Sequence, residues 1–206
     1  MLTLAFLLAG LAPAPVTLNV PVYLGADLSE DIVTSALQET KRIFEPGRIA
    51  LRFDLSPEHH SIRPLVTVVV LPRPAQFKVY GCSRNRHDHR LGHTQLGARR
   101  ITLWSEQLVR AVDGNWDRTA LPDVDDQVFA RALGRVLAHE LGHALLGLNG
   151  HRDRGLMRSD FSYRSLTAPG RRAFRLADED LQAIRDTLLD AVAKNKNAAL
   201  RLLDGA

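Results

Sequence analysis

The pattern H-E-x-x-H, formed by His139, Glu140 and His143, constrains this chain more than any other sequence feature. Residues four apart on an α-helix lie on the same face, so both imidazoles can reach one metal ion. Glu140 lies beside the first histidine and can reach a water molecule bound to that ion. This arrangement is typical of a zinc site in which the glutamate acts as the catalytic general base. The fold must therefore present one face of a helix through residues 139–143 to a cleft.

The residues after this pattern supply a candidate third ligand. Gly147 can end or bend the helix, and His151 can reach the metal from the loop that follows. Two residues compete with His151: Asn149 in the same loop, and Glu179 further along the chain. An amide oxygen is a poor zinc ligand beside an imidazole, and the acidic run 178–180 is better explained as the start of a helix. The predicted ligands of one zinc ion (Zn2+) are His139, His143 and His151.

Length and composition predict one globular domain. The chain has 206 residues, of which 45% are hydrophobic and 24% are charged, and this suffices for a packed core. The formal net charge is +4, but the arginines are spread along the chain and form no basic stripe with aromatic residues. We therefore expect no nucleic-acid partner. The single cysteine, Cys82, excludes an intramolecular disulfide bond and a C-x-x-C zinc site; it is expected to be a buried apolar residue, with a free thiol or a latent zinc cap as alternatives.

Residues 1–14 have features of a secretory signal peptide. Their apolar run is too short to span a bilayer, and Ala12, Pro13 and Ala14 form an A-x-A cleavage pattern. The run has no Lys or Arg before it, and a buried N-terminal strand is the alternative. We expect a secreted or periplasmic protein with no stable membrane span, in which residues 15–206 form a single domain.

The order of the predicted elements gives an α+β fold. Four runs rich in β-branched and apolar residues are predicted to be strands: 16–24, 49–55, 65–71 and 100–104. The third of these runs is apolar enough for a central strand, and residues 91–96 form a candidate edge strand. Three amphipathic stretches are predicted to be helices: 29–44, about 123–146, and a last helix that starts near 176. The tail from Lys194 is expected to fray.

This layout resembles the metzincin zinc peptidases, and among them the matrixin-like branch. HELGHAL at 139–145 is similar to that family's active-site helix, Gly155-Leu156-Met157 to its Met turn, and LADEDLQAIRDTL at 176–188 to its closing helix. The resemblance implies a zincin-like domain with a twisted mixed sheet of four to five strands, an active-site helix and a C-terminal helix. It also implies hydrolysis of a peptide or protein substrate, with Met157 packed beneath the zinc as a floor.

The spacing departs from the family pattern at the third ligand. The family places a glycine three residues after the second histidine and the third histidine three residues later, where this chain has Leu146 and Asn149. Here the arrangement is H-E-x-x-H-x-x-x-G-x-x-x-H, which is two residues longer. Gly147 and Gly150 allow a loop to absorb the difference, because glycine adopts unusual backbone angles. The resemblance is therefore to a divergent branch.

Other side chains are secondary candidates. The cluster His87, Asp88, His89 and His93 offers metal-ligand chemistry in the region where matrixins carry a structural metal, but the surrounding arginines favour a solvated loop. Tyr163 could donate a hydrogen bond to an oxyanion or be an ordinary, partly buried tyrosine.

Two further expectations concern the last helix and the choice of function. Asp178 or Asp180 could hydrogen-bond the backbone of the Met turn. An amide hydrolase acting on cell-wall peptide and a non-catalytic zinc-binding domain are the alternative functions, and Glu140 argues against the second because a structural zinc needs no base.

Overall fold

One mixed β-sheet forms the framework of the molecule. The computed structural model describes residues 14–56, 64–72, 90–116, 121 and 123–204, with side chains described as far as residue 194. Within these ranges the sheet has five strands: β1 Val16–Leu24, β2 Ile49–Asp54, β3 Thr67–Leu71, β4 Gly92–Gln95 and β5 Arg100–Trp104. They confirm the predicted strands to within two residues at each end.

The strand order is β2-β1-β3-β5-β4. β1 runs parallel to β2 and β3, and β3 runs parallel to β5. β3 therefore lies in the middle of the sheet, as its apolar run predicts, and Val68 and Val70 are buried there. β4 pairs antiparallel with β5 at the edge of the sheet. The candidate edge strand and the predicted mixed sheet are both confirmed.

Five α-helices accompany the sheet in the described ranges: α1 Glu30–Phe44, α2 Ser105–Asp113, α3 Asp126–Leu146, α4 Tyr163–Thr167 and α5 Asp178–Asp204. Side chains cap the starts of two helices that the sequence predicted. The Ser29 side chain accepts from the third residue of α1 at 3.3 Å, and the Asp125 side chain accepts from the third residue of α3 at 2.9 Å. These bonds satisfy backbone N–H groups that a helix leaves free at its start.

α3 crosses the molecule between α1 and the sheet edge and is buried along most of its length. It approaches α1 closely at Gly134, where a Cβ atom would collide with the carbonyl oxygen of Ala36. The Thr40 hydroxyl donates to the Gly134 carbonyl at 2.9 Å across the same contact. The contact fixes α3 along its axis, and thereby fixes the site residues two turns further on.

Three parts of the fold differ from the sequence predictions. α2 and α4 were not predicted. The last helix was expected to fray from Lys194, but its backbone stays helical as far as Asp204.

The region around Cys82, together with His87, Asp88 and His89, lies outside the described residues, and so do residues 1–13. Export and the single-domain boundary therefore stay predictions. In the described part of the chain, no helix combines the length and apolar character needed to cross a membrane.

Candidate metal centre

α3 carries both histidines of the sequence pattern into one cavity. His139 and His143 are buried on the last two turns of the helix, and Glu140 is buried beside them. The helix ends at Gly147, which has a left-handed φ of 65° and donates its N–H to the His143 carbonyl. A glycine adopts this conformation without steric cost, so the chain turns away here as the sequence predicted.

The loop after α3 brings His151 back to the two helical histidines. The His143 Nε2 atom lies 3.1 Å from Nε2 of His139 and 3.3 Å from Nε2 of His151. The candidate ligand atoms of all three lie within 4.8 Å of one another. Tetrahedral zinc, with nitrogen ligands at about 2.0–2.1 Å, separates neighbouring nitrogens by roughly 3.3 Å. The three imidazoles therefore fit a zinc ion.

Hydrogen bonds orient the two helical imidazoles. The His139 Nδ1 atom lies 2.7 Å from the Leu156 carbonyl oxygen, and the His143 Nδ1 atom lies 2.8 Å from the Leu148 carbonyl oxygen. A carbonyl only accepts, so each Nδ1 carries the proton and each Nε2 presents its lone pair to the cluster. Burial lowers the pKa of His139 to about 4 and also lowers the pKa of His143. Both shifts favour the neutral ring, which is the form that binds a metal.

Met157 packs against α3 at Gly142, the residue just before His143. Its side chain is 1% exposed and lies against Gly142, where a Cβ atom would collide with the Met157 sulfur. Gly155 opens this turn with φ of 75°, and a Cβ atom there would lie 2.5 Å from the Arg175 carbonyl oxygen. Gly142 therefore allows the turn to lie directly against α3, and Gly155 allows it to approach the backbone at Arg175.

The predicted hydrogen bond from Asp178 or Asp180 to the Met-turn backbone is not what the structure shows. Asp180 instead accepts from the Arg152 guanidinium at 2.8 Å. The turn backbone bonds to another part of the backbone instead. The Leu156 N–H donates to the Arg175 carbonyl at 2.9 Å. Asp180 thus acts on the loop that carries His151 rather than on the Met turn.

The environment of Glu140 was not predicted from the sequence. Its side chain is 7% exposed, and burial raises the pKa of its carboxyl group to about 7. The Thr94 hydroxyl on β4 donates to its Oε2 atom at 2.5 Å, which by itself lowers that pKa. Thr94 lies on an ordinary alternating strand, and no sequence signal connects it with a residue 46 positions later.

A cavity of about 800 Å³ joins these groups. It is lined by the three histidines and Glu140, by β4, and by side chains from later loops and helices, including Trp116, Phe161 and Ala111. The Phe161 ring lies edge-on to His139, with centroids 5.3 Å apart. The cavity is large enough for a side chain of a substrate. Phe161 is a second site residue that the sequence did not reveal.

The structure separates the competing candidates. Asn149 and His93 are exposed and border the cavity, but the described group able to hold a metal consists of the three histidines alone. Glu179 is exposed on α5 and is not part of that group. Tyr163 is 48% exposed at the start of α4 and does not line the cavity, so the structure does not support it as an oxyanion donor.

Comparison with known proteins gives a match at the level of fold. No protein-family model matches the chain, and no curated protein matches it. Among solved structures, archaemetzincin from Methanopyrus kandleri superposes with a TM-score of 0.51 at 12% identity, covering 86% of this chain and 99% of that one. A zinc-dependent peptidase from Methanocorpusculum labreanum gives a TM-score of 0.50 at 13% identity, covering 82% and 99%.

The chain has an α+β fold similar to those of zinc-dependent peptidases, which confirms the zincin-like expectation. A three-histidine group able to hold a metal ion lies within this fold. At 12–13% identity the likeness is one of fold alone, and it does not extend to the matrixin-like details.

Proposed function

We propose that this protein is a zinc-dependent metallopeptidase. The observation that carries the proposal is the convergence of three imidazole Nε2 atoms beside a buried glutamate, in one open cavity. A structural zinc site is usually closed by four protein ligands, whereas three ligands leave a position for water or substrate. The fold shared with zinc-dependent peptidases supports the same conclusion.

Each site residue has a defined role in this proposal. His139, His143 and His151 hold the zinc ion, and the two carbonyl-bonded imidazoles enter the site already neutral and oriented. Bound zinc would supply Lewis-acid chemistry, which activates water and polarises a carbonyl group. Glu140 accepts the proton of the attacking water and returns it to the leaving amine. Burial favours this role, because a carboxylate with a raised pKa is a stronger base.

The proposed substrate is a peptide or protein. β4 lines the cavity, whose walls mix the polar cluster with apolar side chains such as Trp116 and Phe161. Sites of this kind bind an apolar side chain and leave a few polar groups to orient the reacting bond.

Zinc content and chelator-sensitive cleavage, measured together, test the proposal. We expect one zinc per chain and cleavage of a peptide library that chelator abolishes and added zinc restores. Glu140→Gln keeps the size of the side chain and should keep the zinc while lowering kcat by about 100-fold or more. His151→Ala should lose zinc affinity, whereas Glu179→Gln, the matched control at the rejected ligand, should keep both zinc and activity.

The alternative functions have different outcomes. A chain that binds zinc and cleaves neither peptides nor a peptidoglycan digest is a zinc-binding domain. Cleavage confined to the peptidoglycan digest identifies an amide hydrolase for cell-wall peptide. Cleavage that survives both chelation and Glu140→Gln refutes the metallopeptidase proposal.

A further inference from the structure

Two residues of the edge strand β4 contact Glu140. Gly92 and Thr94 are two positions apart, so they lie on the same face of the strand, and this face is turned toward α3. Antiparallel pairing fixes their positions, because Gly92 is opposite Leu103 and Thr94 is opposite Ile101 on β5. The register of the sheet therefore places both residues of β4 against Glu140.

The Thr94 hydroxyl is within hydrogen-bond distance of Glu140 at two atoms. It lies 2.5 Å from the side-chain Oε2 and 2.9 Å from the backbone carbonyl oxygen of Glu140. A hydroxyl has one hydrogen to donate, and a carboxylate is the stronger acceptor. Short O–H···O⁻ distances of about 2.5–2.7 Å are typical of such charge-assisted bonds. The Thr94 hydrogen is therefore directed to Oε2.

Gly92 leaves the space that the carboxylate occupies. A Cβ atom at this position would lie 3.0 Å from Cγ and 3.1 Å from Oε1 of Glu140, and 2.9 Å from a methyl carbon of Leu103. Glu140 and Leu103 are both buried, so neither can move away freely. A side chain at position 92 would press on the carboxylate, which would have to shift by a few tenths of an ångström.

We propose that Thr94 is a positioning residue for Glu140, with Gly92 providing the necessary room. Thr94 engages Oε2 and leaves Oε1 as the oxygen that accepts the proton. Without this bond the carboxylate rotates about its last torsion angle, and proton transfer loses its geometry. The inference rests on the proposed role of Glu140 as base. It adds a residue of a different element, so that the edge strand aligns the catalytic group.

Thr94→Val and Thr94→Ser form the decisive pair of variants. Valine keeps the volume and β-branching but removes the hydroxyl, whereas serine keeps the hydroxyl. We expect Thr94→Val to lower kcat by about tenfold or more, because general-base catalysis contributes about 100-fold or more and only its alignment is lost. KM should stay within about twofold, since substrate binding is not touched. Thr94→Ser should retain most of the wild-type kcat.

Three further measurements separate positioning from a merely structural role. Zinc content should equal that of the wild type in both variants. Crystal structures of the metal-free variants should show the Glu140 carboxylate displaced in Thr94→Val and in place in Thr94→Ser, a readout that needs no zinc. Gln95→Ala is the matched control, because Gln95 is an exposed neighbour on β4, and it should leave kcat unchanged.

Each outcome decides for or against the inference. Wild-type kcat in Thr94→Val overturns it, as does a fall in kcat accompanied by loss of zinc or shared equally by Thr94→Ser. An undisplaced carboxylate in the metal-free Thr94→Val structure also overturns it. A wild-type protein that cleaves no peptide refutes the proposed function first, and the role of Thr94 falls with it.

Discussion

Replacing Arg135 by methionine should destabilise the protein strongly. Arg135 lies one turn before His139, and its side chain is fully buried. Its guanidinium donates to Glu39 on α1 at 3.1 Å and to three backbone carbonyls in the segment 165–170 at 2.8–2.9 Å. It also lies 4.6 Å from the ring centroid of Phe174. One side chain thus joins α1, α3 and the segment after the Met turn.

The expected magnitude follows from what the substitution leaves behind. Removing one partner of a buried ion pair costs about 3–5 kcal/mol, because the other charge remains buried. Glu39 would keep Arg171, which bonds its second oxygen at 2.7 Å but is 40% exposed. This remaining pair lowers the cost, whereas the buried Leu166 carbonyl, left without its donor, raises it by about 1 kcal/mol. Methionine retains most of the apolar contact, so we expect a net loss of about 4 kcal/mol.

Urea unfolding of the metal-free proteins, followed by tryptophan fluorescence, measures this loss. The midpoint should fall while the m-value stays constant. Arg131→Met is the matched control, because Arg131 lies one turn earlier and makes a single bond to the same segment, to the Thr167 carbonyl at 2.7 Å. We expect the control to cost about 1 kcal/mol. A loss in Arg135→Met within about 1 kcal/mol of this control would refute the reasoning.

Two other predictions concern the metal centre. Gly142→Ala places a Cβ atom against the Met157 sulfur and should cost about 1–3 kcal/mol by overpacking, measured as a lower Tm, whereas Gly97→Ala, with open space around it, should be neutral. In the metal-free protein, burial lowers the pKa of His139 from 6.5 to about 4, so the unfolded chain binds more protons between these values. The contribution of neutral His139 to the free energy of unfolding is then fully present above pH 6.5. It should fall by about 2–3 kcal/mol as the pH drops to 4. Measured by urea unfolding, the free energy of unfolding should fall less over this pH range in His139→Gln than in the wild type. Equal slopes for both proteins would contradict this.

Periodicity and caps made most of the fold predictable. The alternating run of β1, the apolar run of β3 and the acidic start of α3 each show local preferences that agree with the final structure. α2 was missed although Gly114 ends it with a left-handed φ of 74°, because its nine residues follow β5 directly and lack a side-chain N-cap. The sequence therefore predicted the elements that have strong local signals. It missed α2, which has no signal at its start.

The site was predictable only where its residues share one element. Helical spacing alone placed His139, Glu140 and His143 together. The contacts of Glu140 with Thr94, and of His139 with Phe161, join distant parts of the chain and depend on tertiary packing. No alternation or spacing encodes such a contact, so it can be recognised only in the folded structure.

The two-residue expansion after His143 is compensated by bonds at the end of α3. The Leu148 N–H donates to the His143 carbonyl at 3.3 Å, and the Leu148 carbonyl accepts from Nδ1 of His143 at 2.8 Å. The residue that starts the loop is therefore bonded on both sides to the second histidine. The direction in which the chain leaves the helix is therefore set by bonds to His143 itself.

The other end of the loop is fixed just beyond the third histidine. The Arg152 N–H donates to the Met157 carbonyl at 2.7 Å, which ties the loop to the residue that packs against Gly142 of α3. His151 thus lies between two anchored residues, Leu148 and Arg152, and both anchors attach to parts of the metal centre. What places the third imidazole is the pair of anchors rather than the number of residues between His143 and His151. A longer loop reaches the same point as long as its ends are bonded in this way, which accounts for a spacing two residues longer than the metzincin pattern that the sequence resembles.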